Sequence, residues 1–152
     1  MDDLTRVLSE EGARYELLPH ARTETALDEA KALGVDPAEV GKTLVLRAPE
    51  GYVRAVIPAN CRIDVRKLWK LVGDDKVYLA AEDDLRRDYP EFELGAVPPV
   101  GGDRRDRVLV DRQLADRESV VVEAGSHERS VRIPTAELVR IAHAEVVDIC
   151  ED

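Results

Sequence analysis

Cysteine is scarce in this 152-residue chain: Cys61 and Cys150 are the only two. They form no C-x-x-C pair and share no metal-ligand spacing with His20, His127 or His143, so the sequence predicts two free thiols, no structural metal and no disulfide framework. Long apolar runs are missing too. No window of eighteen apolar residues exists, and the start, Met1-Asp2-Asp3-Leu4, is acidic where a secretory leader would be basic and then apolar. The expectation is a cytoplasmic chain with no membrane attachment. Basic residues are outnumbered, 22 against 32 acidic, and the resulting formal charge of −10 argues against a protein that coats DNA or RNA by neutralising phosphates. Two local basic stretches remain, Arg104 to Arg112 and Arg62 to Lys70, and their simplest reading is a solvated mixed-charge surface. Repeats, low-complexity tracts and linkers rich in glycine, proline or serine are absent, so a boundary has nowhere to fall and residues 1–152 read as one domain. A chain of this size buries roughly two-thirds of its surface on folding, enough for one core.

The common enzyme signatures are absent as well. No G-x-S-x-G, H-E-x-x-H or G-x-G-x-x-G occurs. Gly41-Lys42-Thr43 looks like the end of a phosphate-binding loop, but Asp36 stands where that motif needs its first glycine. The context is also inverted, because a phosphate loop leads from a strand into a helix and here a helical stretch leads into an apolar strand.

What is present alternates between the two periods. Leu4, Val7 and Leu8 predict a short amphipathic helix ending near Gly12, and 24–33 predicts another, closed by Gly34. Asp36-Pro37 predicts a capped turn running to Val40. Residues 43–46 and 52–57 read as a hairpin in the middle of a sheet. Asp64 caps a helix that ends at Gly73, and 82–88 and 135–143 complete the helices. Further strands are expected at 15–18, 77–80, 107–111, 119–123, 130–133 and 145–149. The fold class is α/β or α+β, a mixed sheet of about six to seven strands surrounded by short helices.

Three features carry chemistry. Lys42 precedes a strand that looks buried on both faces, so its stem should pack on apolar surface while its ammonium emerges at the sheet edge, able to meet an anionic or carbonyl oxygen. In Leu94 to Gly102, two prolines stiffen a loop and three glycines let backbone approach a ligand, so free N–H groups there could hold an oxyanion. Glu123-Ala124-Gly125-Ser126-His127 turns a strand end through glycine and presents a histidine able to orient or bind a substrate. Each also has a bland reading: a surface lysine, a rigid connector and a satisfied histidine.

Taken in order, these features resemble the YbaK family and the editing domain inserted in bacterial prolyl-tRNA synthetases. The matching residues are Val40-Gly41-Lys42-Thr43-Leu44-Val45, Gly95-Ala96-Val97-Pro98-Pro99-Val100-Gly101, Val110-Asp111 and Ala124-Gly125, with Pro19-His20 and Thr25-Ala26 at the start. The similarity runs from about residue 4 to residue 149. It implies a YbaK-like fold, no cofactor, and a pocket lined by Lys42, the 95–101 loop and the turn after Ala124. It further implies trans-acting hydrolysis of the ester joining a small amino acid, such as cysteine, alanine or serine, to a mischarged tRNA, tRNA-Pro among the candidates. Lys42 matches the family's indispensable lysine. His20, Thr25, Gly95, Pro98, Gly101, Gly125 and His127 are the implied substrate-binding positions. The substrate's own ribose hydroxyl would activate the attacking water, and a synthetase could be a partner. The pattern departs from YbaK at Ala124 and Arg132, where YbaK has a serine and an acidic residue, which leaves substrate preference open. The main alternative is an inactive module of the same fold that binds an aminoacyl group, a nucleotide or a protein. A purely structural interaction domain would instead show a large exposed apolar patch.

Overall fold

The computed structural model describes residues 3–152. Its helices are α1 (Asp3–Glu10), α2 (Ala26–Leu33), α3 (Val65–Val72), α4 (Glu82–Asp88), α5 (Arg112–Ala115) and α6 (Thr135–Ala142). Eight strands form one mixed sheet: β1 (Glu16–Pro19), β2 (Val40–Ala48), β3 (Gly51–Pro58), β4 (Tyr78–Leu79), β5 (Arg107–Asp111), β6 (Ser119–Ser126), β7 (Arg129–Pro134) and β8 (Glu145–Val147). Their order is β1-β7-β6-β2-β3-β5-β8, with β4 also pairing to β2. The architecture is the anticipated mixed sheet with short helices; each of its eight strands overlaps one of the eight segments read as strands, one more than the six to seven of the expected fold class.

Local chemistry explains several boundaries. Thr25 accepts the Asp28 N–H at 3.1 Å and starts α2, which ends in left-handed Gly34; Asp64 accepts from Arg66 and Lys67 and starts α3, which ends in left-handed Gly73. A single 3₁₀ turn, Pro37–Glu39, is capped by Asp36 and feeds β2. Pairing then extends the hairpin beyond its apolar run. β2 spans Val40–Ala48, because Val40 and Gly41 pair in parallel with Val121 and Val122 of β6 while Gly41 to Ala48 pair antiparallel with Pro58 to Gly51. Lys42 therefore lies inside a strand.

Alternation sends Gly41, Thr43 and Val45 to one face of β2, and Val40, Lys42, Leu44 and Leu46 to the other. On the first face, Leu4 and Leu8 of α1 and Leu138 and Ile141 of α6 pack on Val56, Val108, Val110, Val120 and Val122. Opposite, Leu68 of α3 covers Leu46, Val53, Ala55, Ile57 and Leu109, while Ala30 of α2 covers Val40 and Val121. Lys42 sits on this second face, where the α2 cluster gives way to the α3 cluster.

Gly41 is dictated by the first face. A Cβ there would stand 3.0 Å from Val56 Cγ1, 3.2 Å from Val120 Cγ2 and 3.3 Å from Val122 Cγ1, closer than such atoms normally approach. Gly41→Ala is expected to lower stability by about 1–3 kcal/mol through overpacking. Chemical denaturation measures it; an unchanged midpoint would mean that β2 and β6 separate freely.

Candidate active site

A cavity of about 370 Å³ opens on the second face, lined among others by Thr25, Leu27, Lys42, Leu44, Gly95, Val97 and Glu123. That volume lies within the range of small-ligand sites. Lys42 reaches it from an interior strand, not from a sheet edge: β2 has β3 on one side and β6 on the other, and the ammonium finds space because the parallel β2–β6 pairing ends at Gly41 and Val122. Among the described residues its ammonium has no ion pair or hydrogen bond. Glu123 follows the Val40–Val121 pair by two positions on β6, as Lys42 does on β2, so both occupy the same face. Larger concavities, about 420 Å³ beside the β2–β3 turn and about 480 Å³ between α1, α6 and the 99–108 segment, contain no buried carboxyl that lacks a cationic partner.

Of the implied binding positions, Thr25 and Gly95 join Lys42 in the cavity. Among the described residues, the Gly95 N–H donates to no other group. Pro98 and Gly101 do not line the cavity. Their carbonyls accept from Arg54 Nη1 at 2.9 Å and Nη2 at 2.8 Å, so that half of the loop is anchored by a cation instead of offering its backbone to a ligand. Arg54 is 1% exposed and pairs through Nε with Asp106 at 2.9 Å. Gly125 serves the turn: its φ is +94°, and a Cβ would meet Phe92 Cδ1 at 2.6 Å. His127 lies behind the cavity, 3% exposed, with Nε2 2.7 Å from the Leu94 carbonyl and Nδ1 3.1 Å from Glu123 Oε2.

His20 does not line the cavity and enters a relay. Its Nδ1 lies 2.7 Å from the Ala21 carbonyl and its Nε2 2.8 Å from Ser130 Oγ, which in turn bonds Glu29 Oε2. A carbonyl only accepts, so Nδ1 carries hydrogen. Two arrangements then satisfy the chain with the same number of protons: Glu29–OH donating to Ser130 and Ser130 to a neutral His20, or a His20 cation donating to Ser130 and Ser130 to the Glu29 carboxylate. Burial pushes Glu29 up to about 7, with the Ser130 hydroxyl acting the other way. Burial, and then the negative charges of Glu29, Glu93 and Glu24, push Glu123 up to about 8.

These two acids make stability fall with rising pH. A carboxyl bound more tightly to its proton when folded gives the native state more protons than the unfolded chain between the unfolded value, 4.5, and the folded values of about 7 and about 8. Stability falls wherever the native state holds the extra protons. Carboxylates held low, such as Asp88 at about 2, act in a separate acidic window. We expect the unfolding free energy to drop by a few kcal/mol between about pH 5 and pH 8, and Glu29→Gln to flatten part of that slope. Urea titrations across that range measure it; rising stability would refute the assignment.

Glu29, Arg54 and Glu123 carry roles that sequence reading did not single out. Two had a signal: Arg54 interrupts the apolar run Tyr52 to Ile57, and Glu29 falls between Ala26 and Leu33 on the packed side of α2. The departures from YbaK lie off the cavity. Ala124 is in the core of the first face, and Arg132 bonds Ser119 Oγ at 3.2 Å. Cys61 and Cys150 are free thiols, and among the described residues no group of three potential metal ligands occurs and no helix is long and apolar enough to cross a membrane.

An ammonium without a protein partner among the described residues and a buried acid thus line one small cavity beside a glycine-bearing loop. The aminoacyl-tRNA editing domain family matches residues 20–141, and the chain belongs to it. A proline–tRNA ligase of Streptococcus sanguinis (strain SK36) is 31% identical over 96% of this chain, which spans 23% of that enzyme. The multifunctional Ser/Thr-tRNA deacylase ProXp-y of Escherichia coli (strain K12) is 25% identical over 95% of this chain and 89% of its own length. The solved structure of a candidate trans-editing enzyme for prolyl-tRNA synthetase superposes with a TM-score of 0.89 at 25% identity, covering 98% of this chain and 95% of that one. This chain spans less than a quarter of the proline–tRNA ligases it matches.

Proposed function

We propose that the chain works in trans, as one cytoplasmic editing domain, hydrolysing the ester between a small amino acid and the 3′ end of a mischarged tRNA. The observation that carries this reading is Lys42, an ammonium without a protein partner among the described residues, set beside the Gly95 backbone in a cavity of about 370 Å³. An aminoacyl ester is already activated, so the site has only to hold the ester, stabilise the developing oxyanion and measure the side chain. Lys42 holds the substrate's anionic or carbonyl oxygen, and the Gly95 N–H faces the oxyanion. Thr25 and Leu27 flank the amino-acid side chain. Burial holds the Glu123 carboxyl mostly protonated at neutral pH, so the reading assigns it no proton abstraction. The substrate's ribose hydroxyl then directs the water.

Cysteine, alanine and serine differ by a few atoms, and such differences are worth only a few kcal/mol in one pocket. Relatives named as a Ser/Thr-tRNA deacylase and as a Cys-tRNA(Pro)/Cys-tRNA(Cys) deacylase support hydroxylated substrates and cysteine alike, and the prolyl-tRNA synthetase relatives favour tRNA-Pro. With a formal charge of −10, the chain reads the acceptor end weakly or with a synthetase's help. The test is release of labelled alanine, cysteine, serine and threonine from cognate and non-cognate tRNAs. Turnover of one mischarged species establishes the editing hydrolase; no turnover above the buffer rate for any species moves the reading to a binding module of the same fold.

A further inference from the structure

Behind the Gly95 rim lies a contact that neither binding nor hydrolysis has used. The Leu94 carbonyl only accepts, so His127 Nε2, 2.7 Å from it, carries hydrogen. Nδ1 of the neutral ring then bears a bare lone pair, and it stands 3.1 Å from Glu123 Oε2. Both atoms are sealed from solvent, and neither has a hydrogen-bond partner. An ionised carboxylate there would set two buried lone pairs against each other, a costly arrangement. One proton between them removes the conflict. A buried pair favours the uncharged form, in which the carboxyl O–H donates to Nδ1.

We propose that Glu123 is a positioning residue of the editing site: through one proton held between its carboxyl and His127 Nδ1 it fixes the imidazole so that Nε2–H bonds the Leu94 carbonyl, setting the Gly95 rim opposite Lys42. The backbone around the ring is already tied. Glu93 N–H donates to the Gly125 carbonyl at 2.8 Å, His127 N–H to Glu93 Oε2 at 3.3 Å, and Thr23 N–H to the His127 carbonyl at 3.0 Å. The ring's rotation and tautomer are what remain to be fixed. It also packs on Gly95, where a Cβ would stand 3.6 Å from His127 Cε1.

The charges around Glu123 come from several elements: Glu29 on α2, Glu24 just before it, Glu93 in the segment after α4 with its partner Arg22, and Lys42 across the cavity. Burial and the three acids hold its proton up to about pH 8. The rim should therefore stay ordered through neutral pH and loosen above it. The pairing stands on geometry alone; its effect on turnover rests on the deacylase reading.

The experiment uses the full chain with nitrogen-15 in its histidines, as wild type, Glu123→Gln and Glu123→Leu. In the wild type the His127 ring should hold the Nε2–H tautomer, and its signals should report loss of the Glu123 proton as a step near pH 8. Glu123→Gln, whose amide can donate to Nδ1, should keep the tautomer, lose the step near 8 and retain turnover. Glu123→Leu should lose about tenfold to a hundredfold in kcat with a smaller change in KM. Ring signals with no step near pH 8 in the wild type, or with the same step in Glu123→Gln, overturn the proposal whatever the fate of Glu123→Leu. A wild type inert on every ester overturns the deacylase reading instead, and the ring signals still decide the pairing.

Discussion

Lys42→Ala is expected to lose about a hundredfold to a thousandfold in deacylation while the protein stays folded, the scale of removing one preorganised charge-stabilising donor from an active site. The structure separates activity from stability here, because Lys42 makes no ion pair among the described residues and its removal leaves no protein group newly unpaired. Circular dichroism and a denaturation midpoint near that of the wild type would show the fold intact. Lys42→Arg is expected to recover little: a planar guanidinium does not reproduce a compact ammonium in a cavity of about 370 Å³. Full turnover in Lys42→Ala would remove the proposed function.

Arg54→Met should instead act on stability, by about 3–5 kcal/mol, the cost of breaking a buried ion pair by removing one partner. Asp106, only 4% exposed, would keep the Tyr89 hydroxyl and the more distant Arg104, 3.6 Å away, but lose its close buried guanidinium, and the Pro98 and Gly101 carbonyls would lose their donors together. For a chain of this length that corresponds to a fall in Tm of roughly 6–20 °C. The same loop carries Gly95 and Val97 into the cavity, so the folded fraction should also turn over more slowly. Adding Asp106→Leu should recover part of the stability, since an apolar replacement of both partners removes the uncompensated charge. A Tm within about 2 °C of the wild type would show that the loop is held by other contacts.

The helices were legible because their signals are local. Thr25 and Asp64 cap, Gly34 and Gly73 terminate, and the apolar stripe between them repeats at helical spacing. The four-residue α5 escaped notice, being too short to show a period, although Asp111 caps it through the Gln113 N–H. The hairpin strands were underestimated for a different reason: the apolar run starts at residue 43, whereas pairing to β6 carries β2 back to Val40, while β4 and β8 are shorter than the segments 77–80 and 145–149 read as strands. Lys42, Thr25 and Gly95 could be placed near one another from the family resemblance. Pro98 and Gly101 could not be separated from Gly95, since nothing in a glycine-proline loop announces that an arginine 40-odd positions earlier binds two of its carbonyls.

The sequence by itself determined the class of fold, the family and the lysine on which the proposed chemistry turns, because periodicity, caps and short motifs are written in neighbouring residues. Only the tertiary structure decided what surrounds that lysine. Whether a carboxyl is ionised depends on burial and on charges brought from α2, β6 and the segment after α4, and whether a backbone N–H is free depends on which distant side chain reaches it. Both are properties of packing, and packing joins residues that the chain holds far apart.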